Sequence, residues 1–200
     1  MDFMRVASIV CGIFLAGCAV TNRYYLPTDP KLAHEGTVCG SVPWGSTRVP
    51  IGPDLSASVE LYLRETSLGL KLQIALPKGT TVRFVEPEIG VASPKTGNQY
   101  GAKLDRFRLS VYGHNGQPGH REFFDANELL EGRGRNADLA GPNTQYLSRD
   151  LFVSGATFVV APIDSLVLRF PAVEVNGVAF SSQSIPLGLV EKTGVMTCIQ

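Results

Sequence analysis

The sequence predicts an all-β fold, an immunoglobulin-like antiparallel β-sandwich with one long loop and short-helix excursion. Three observations carry this expectation. Apolar and polar residues alternate in several runs, as in Ala57, Val59, Leu61 and Leu63 set against Ser58, Glu60 and Tyr62. The 21 Gly and 13 Pro are spread along the 200 residues, as many turns between short strands require. No long stretch repeats at the helical period. About nine to eleven short strands are expected between Val38 and Gln200, the pattern of a sandwich.

In chain order, residues 19–37 show no apolar period and are broken by Pro27, Pro30 and Gly36. They read as a flexible tether, with Tyr24 and Tyr25 as exposed linker aromatics. The domain then begins near Val38 with a short strand over Val38–Ser41, and Thr47 to Ile51 is a second extended piece. Ser56 to Leu63 is a half-buried strand. Leu68, Leu70, Leu72, Ile74 and Leu76 share one face of the next, and the Pro77-Lys78-Gly79-Thr80 turn joins it to a return strand over Thr81–Val85 as a hairpin. Ile89 to Ala92 is an edge strand between Pro87 and Pro94. Lys103 to Tyr112 alternates again.

Residues 113–148 interrupt the pattern. A glycine-rich loop runs from Gly113 to His120. Asp125 to Gly132 has the marks of a short helix: Asp125 as N-cap, Glu128 at the capping-box position and Gly132 as the stop. Arg133 to Thr144 is polar and irregular. Strands return over Asp150–Val160 and Leu166–Phe170. Asn176-Gly177 marks a tight hairpin, and Phe180–Leu189 and Val195–Ile199 close the domain. Val82, Phe84 and Ile89 recur in spacing as Val178, Phe180 and Ile185, either as traces of a duplication or as two similar hairpins.

The first 17 residues are of another kind. Met1 to Arg5 carry a weak positive bias, and Val6 to Leu15 is an uncharged apolar run. That run is half the ~20 residues a membrane-spanning helix needs, so a secretory signal is the better reading. It ends in Leu15-Ala16-Gly17-Cys18, which resembles the lipobox of bacterial lipoproteins. The resemblance covers these residues alone. It implies cleavage before Cys18, acylation of the Cys18 thiol and of the new amine, and attachment to a membrane. Ala19 in place of Asp resembles an outer-membrane address, with the periplasmic face expected. The domain plan is therefore a signal peptide over 1–17, the lipidated Cys18 and tether over 18–37, and the sandwich over 38–200.

Cleavage leaves 183 residues, which suits one large or two small domains; one is expected. The full chain has 18 basic and 18 acidic residues. This balance argues against nucleic acid as a partner and against a polybasic membrane patch. Of four cysteines, Cys11 leaves with the signal and Cys18 takes the lipid. Cys39 and Cys198 remain, and an oxidising envelope favours a disulfide between them; two buried free thiols are the alternative.

Nothing along the chain forms a catalytic signature, and neither a cofactor nor a metal is expected. His114 and His120 share the glycine-rich loop with Glu122 and Asp125 nearby. These are residue types that can ligate zinc, but the spacing gives no preorganisation. Arg121, Arg133, Arg135 and Arg149 cluster in or beside the long excursion, and guanidinium forks suit carboxylates and phosphates. They are the candidate partner-binding residues. Trp44 reads as core. The expected protein is a membrane-anchored, non-enzymatic binding or accessory module for a protein or envelope polymer, including inhibitor or immunity-like roles. The alternatives are a cell-wall or ester hydrolase built on His114 and His120, and a structural subunit of an envelope complex.

Overall fold

The alternating runs become strands of two antiparallel sheets that enclose one core. The computed structural model describes residues 18–38, 41–64, 67–77, 79–104, 106–112, 118–132, 144–153 and 164–196. Its strands are β1 (Cys18–Pro27), β2 (Ala33–Val38), β3 (Val42–Pro50), β4 (Ser56–Arg64), β5 (Ser67–Pro77), β6 (Thr81–Phe84), β7 (Glu88–Ala92) and β8 (Gln99–Lys103). They continue as β9 (Arg106–Tyr112), β10 (Pro118–Asp125), β11 (Leu130–Glu131), β12 (Thr144–Val153), β13 (Ser165–Phe170), β14 (Val173–Val175), β15 (Val178–Phe180) and β16 (Gln183–Met196).

The larger sheet has twelve strands in the order β10-β9-β12-β5-β4-β1-β16-β13-β7-β8, with the β2–β3 hairpin joined to it through β4. The smaller sheet has four, in the order β11-β6-β14-β15. All pairings are antiparallel. The core lies between the sheets. On β5, Leu68, Leu70, Leu72, Ile74 and Leu76 are each at most 1% exposed, so one whole face of this strand is buried. Phe84 of the small sheet stacks on Phe107 of the large one at 4.9 Å between ring centroids and tilts against Phe170 at 6.4 Å. The arrangement is sandwich-like, with unequal layers.

Several expectations are corrected. Residues 18–37 are not a tether. All ten residues of β1 pair with β16, from Cys18 opposite Met196 to Pro27 opposite Leu187. Tyr24 and Tyr25 are buried at 3% and 2% exposure, not linker aromatics. The prolines that suggested a linker build a turn instead. The Lys31 N–H donates to Asp29 Oδ1, and the Leu32 N–H to the Asp29 carbonyl. This places Asp and Pro at the first two positions of a β-turn, where both are favoured.

The expected helix over Asp125–Gly132 is absent; no helix exists among the described residues. The capping residues close a single turn, with the Glu128 N–H donating to the Asp125 carbonyl. The chain then extends so that Leu130 pairs with Val82 and is buried. Burying Leu130 and Ala126 against the core outweighs a helix too short to sustain itself. Much of the supposed excursion over 113–148 is also strand. β10 pairs with β9, and β12 pairs with β9 and β5. Residues 113–117 and 133–143 lie outside the described residues.

The turn at Pro77–Thr80 is a crossing between sheets rather than a hairpin. β5 pairs with β4 and β12, whereas β6 pairs with β11 and β14. The Asn176-Gly177 hairpin forms as expected, with both residues at positive φ (50° and 77°), the signature of a type I′ turn. The spacing echo is matched in burial only in part: Ile89 and Ile185 are both buried, whereas Val82 is fully buried and Val178 is 57% exposed.

At one end of the molecule the β2–β3 hairpin lies over β1 and β16. Gly45 of β3 faces the ring of Tyr24, where a Cβ would fall 2.5 Å from Tyr24 Cε2 and 2.7 Å from Leu26 Cδ2. A side chain at this position must push the hairpin off β1. Gly45→Val is expected to lower unfolding free energy by about 1–3 kcal/mol in denaturant titration, the usual cost of overpacking. Gly188→Ala, with nothing within 4 Å of its Cβ position, is the control and leaves the midpoint nearly unchanged.

Candidate functional site

Cys18 is the first residue of β1, and its thiol is free and exposed. The strand leaves it beside Met196, at the last residue of β16. The tip of the β2–β3 hairpin reaches the same end. There the Ser41 N–H donates to the Val195 carbonyl at 3.3 Å, and the Val195 N–H donates to Ser41 Oγ at 2.8 Å. Asn22 Nδ2 donates to the Pro43 carbonyl at 2.7 Å. Gly194 permits this approach, since a Cβ on it would meet the Ser41 carbonyl. The start of the described chain, its end and one hairpin tip are thus stitched together around Cys18.

Further along the same strands the first charged residues pair with one another. Arg23 Nε donates to Glu191 Oε2 at 2.7 Å. Lys192 Nζ donates to Glu35 Oε1 at 2.6 Å, and the Tyr24 hydroxyl donates to the same oxygen at 2.8 Å. The Lys192 hydrogen bond, and then that of Tyr24, hold the Glu35 carboxyl below its ordinary value of 4.5. Burial first, then the hydrogen bond and charge of Glu35, keep the Tyr24 phenol well above its usual range. Tyr25 is pushed up to about 12, by burial and then by the charge of Asp164. Both phenols therefore stay neutral donors at any physiological pH. Trp44 is half-buried rather than core. Its ring covers Gly36, where a Cβ would lie 2.9 Å from Trp44 Nε1, and His34 packs edge-on against it at 5.4 Å.

A second feature is an open cleft of about 910 Å³ beside β7 and β8, lined by Val85, Glu86, Lys103, Arg169, Phe170 and Gln183 among others. Arg169 Nη1 donates to Gln99 Oε1 at 2.8 Å. Charges of both signs line it, with Glu88 and Lys103 opposite each other in the β7–β8 ladder. Among the described residues β8 is an edge strand, with no strand paired on its outer side.

The structure places the sequence-derived candidates as follows. Arg121 lies on β10 opposite Ser110, and Arg149 on β12 opposite Leu72, with β9 between the two strands. Arg133 and Arg135 lie outside the described residues, as do Cys39, Cys198 and His114. No clustering of the four arginines is established. His120 is on β10 opposite Val111, in a strand rather than a loop. No group of three or more His, Cys, Asp or Glu among the described residues could hold a metal ion. No helix there is long and apolar enough to cross a membrane. The Glu35–Lys192–Tyr24 cluster was missed from sequence. Its members are scattered over 168 positions, and the β1–β16 ladder together with the overlying β2–β3 hairpin brings them together.

No protein-family profile, curated protein or solved structure matches the chain.

Because Glu35 titrates lower in the folded state, its contribution is complete above about pH 4.5 and is lost as pH falls through its depressed value. Glu35→Gln is expected to flatten that acid limb in thermal unfolding followed from pH 6 to 3, and to leave the neutral-pH slope unchanged.

Proposed function

We propose that the protein is a lipid-anchored, non-enzymatic binding module of a bacterial cell envelope. The observation that carries this reading is Cys18, the last residue of Leu15-Ala16-Gly17-Cys18, standing exposed at the head of the first strand with its thiol free. The described residues leave that sulfur exposed for a lipid. Ala19 supports an outer-membrane location. Binding is supported by the cleft and by the edge that β8 forms among the described residues, which offer shape and backbone hydrogen bonds to a protein or envelope polymer. Two antiparallel sheets on one core support a kinship of architecture with immunoglobulin-like sandwiches, though the layers here are of very unequal width.

The Cys39–Cys198 disulfide belongs to the same reading. Ser41 and Val195, two and three positions away from these cysteines, are hydrogen-bonded to each other. Chain-entropy reasoning gives a bridge over so long a loop on the order of 5 kcal/mol as an upper figure. Thiol titration of the denatured, unreduced protein is expected to find neither cysteine reactive, and reduction to lower the unfolding midpoint.

The anchor is tested by Cys18→Ser. The variant is expected in the soluble fraction after salt washing, while the wild type stays with membranes and carries acyl mass on the peptide that begins at Cys18. Crosslinking in intact envelopes then identifies what occupies the cleft, and Arg169→Glu is expected to reduce the yield of that crosslink.

A further inference from the structure

Three of the six large apolar side chains that are exposed among the described residues, Val38, Val195 and Met196, sit at the end of the sheet that carries Cys18. They are 49%, 43% and 43% exposed. No charged residue occurs at this end in 18–22, 36–38, 41–47 or 193–196. Along β1, β2 and β16 the first charges are Arg23, Glu35, Glu191 and Lys192, which pair with one another; on the neighbouring β4, Arg64 lies two positions beyond the Tyr24–Tyr62 pair toward this same end. At about 3.3 Å per strand residue, the uncharged zone is about 10–17 Å deep measured along β1, β2 and β16. The headgroup region of one leaflet is about 5–8 Å thick.

We infer that this end of the domain is itself a membrane-contact surface: Val38, Val195 and Met196 rest on the leaflet that holds the lipid of Cys18. The inference rests on the lipoprotein reading. What adds to it is the lack of slack. Cys18 is already paired with Met196, so acyl chains on its sulfur bring the sheet end to the bilayer with no intervening linker. An apolar rim is then forced against the lipid surface. The occupant is the bilayer rather than a second copy of the chain, because the anchored residue lies within the patch. The mutually paired charges form a near-neutral collar above it, so the contact is apolar in origin and does not depend on anionic lipid. Trp44, the sole tryptophan, lies on β3 two residues from Val42, the partner of Val38 at the hairpin tip. That places it about 7 Å from the tip along the strand, at the level where indole rings favour the membrane interface.

The test uses the full lipidated protein in vesicles of phosphatidylcholine with brominated acyl chains. Trp44 fluorescence is expected to be quenched, equally at low and high salt. Val195→Lys, or eight Gly/Ser residues inserted after Ala19, is expected to cut quenching at least about twofold, because either one lifts the rim from the surface. Mass spectrometry of the Cys18 peptide is read on the same samples. An unacylated Cys18 removes the lipoprotein reading and this inference together. An acylated Cys18 with Trp44 unquenched, or quenched equally in both variants, overturns the docking alone. So does quenching that disappears in salt, or dimerisation through this end in detergent.

Discussion

The antiparallel ladder between β1 and β16 is the interaction on which the rest of the molecule depends. It joins the two ends of the described chain over ten consecutive residue pairs. It sets the site of Cys18, brings Glu35 and Lys192 within reach through the overlying hairpin, and positions Tyr24 and Tyr25 for burial. Two effects compete for credit in holding it. The Arg23–Glu191 pair is about half exposed on both sides, and such pairs contribute at most about 1 kcal/mol. Each buried aromatic removes about 150–250 Å² from water. At about 25 cal/mol per Å² that is several kcal/mol per ring as an upper bound. Burial of the tyrosines decides; the ion pairs trim register and neutralise the surface.

The same priority of packing over local preference shapes the opposite layer. The small sheet is held to the large one by Phe84, which contacts rings on both β9 and β13. Its strands are only two to four residues long. Strands this short have little independent stability, so the layer exists because Val82, Phe84, Leu130, Val173 and Val175 are all buried beneath it.

What could be read from the sequence was what period alone encodes. The all-β class, β4, β5, β13 and the Asn176-Gly177 turn follow from alternation and from two residues that accept positive φ. Topology did not follow. Pro77-Lys78-Gly79-Thr80 looks the same whether the chain folds back on its own strand or crosses to a second sheet, and only partner strands elsewhere decide. β1 was invisible because its outward half is mixed polar and its inward half is two tyrosines followed by Leu26 and Pro27, with no clean alternation. The false helix at Asp125 had proper caps around too few residues. Of the candidate site, Cys18 was legible because its motif is contiguous. The charge collar was not, since spatial pairing of Glu35 with Lys192 leaves no trace in local sequence.

β16 runs from Gln183, on the rim of the cleft, to Met196, beside Cys18. It therefore acts as a ruler. Fourteen extended residues measure about 45 Å, and the ladder with β1 prevents the strand from coiling. On a flexible stalk, a binding face samples a cloud of heights above its membrane. Under the proposed lipid anchor at Cys18, the height of the cleft would be a property of hydrogen-bond register, and a partner in the cleft would meet it at the level where this strand begins.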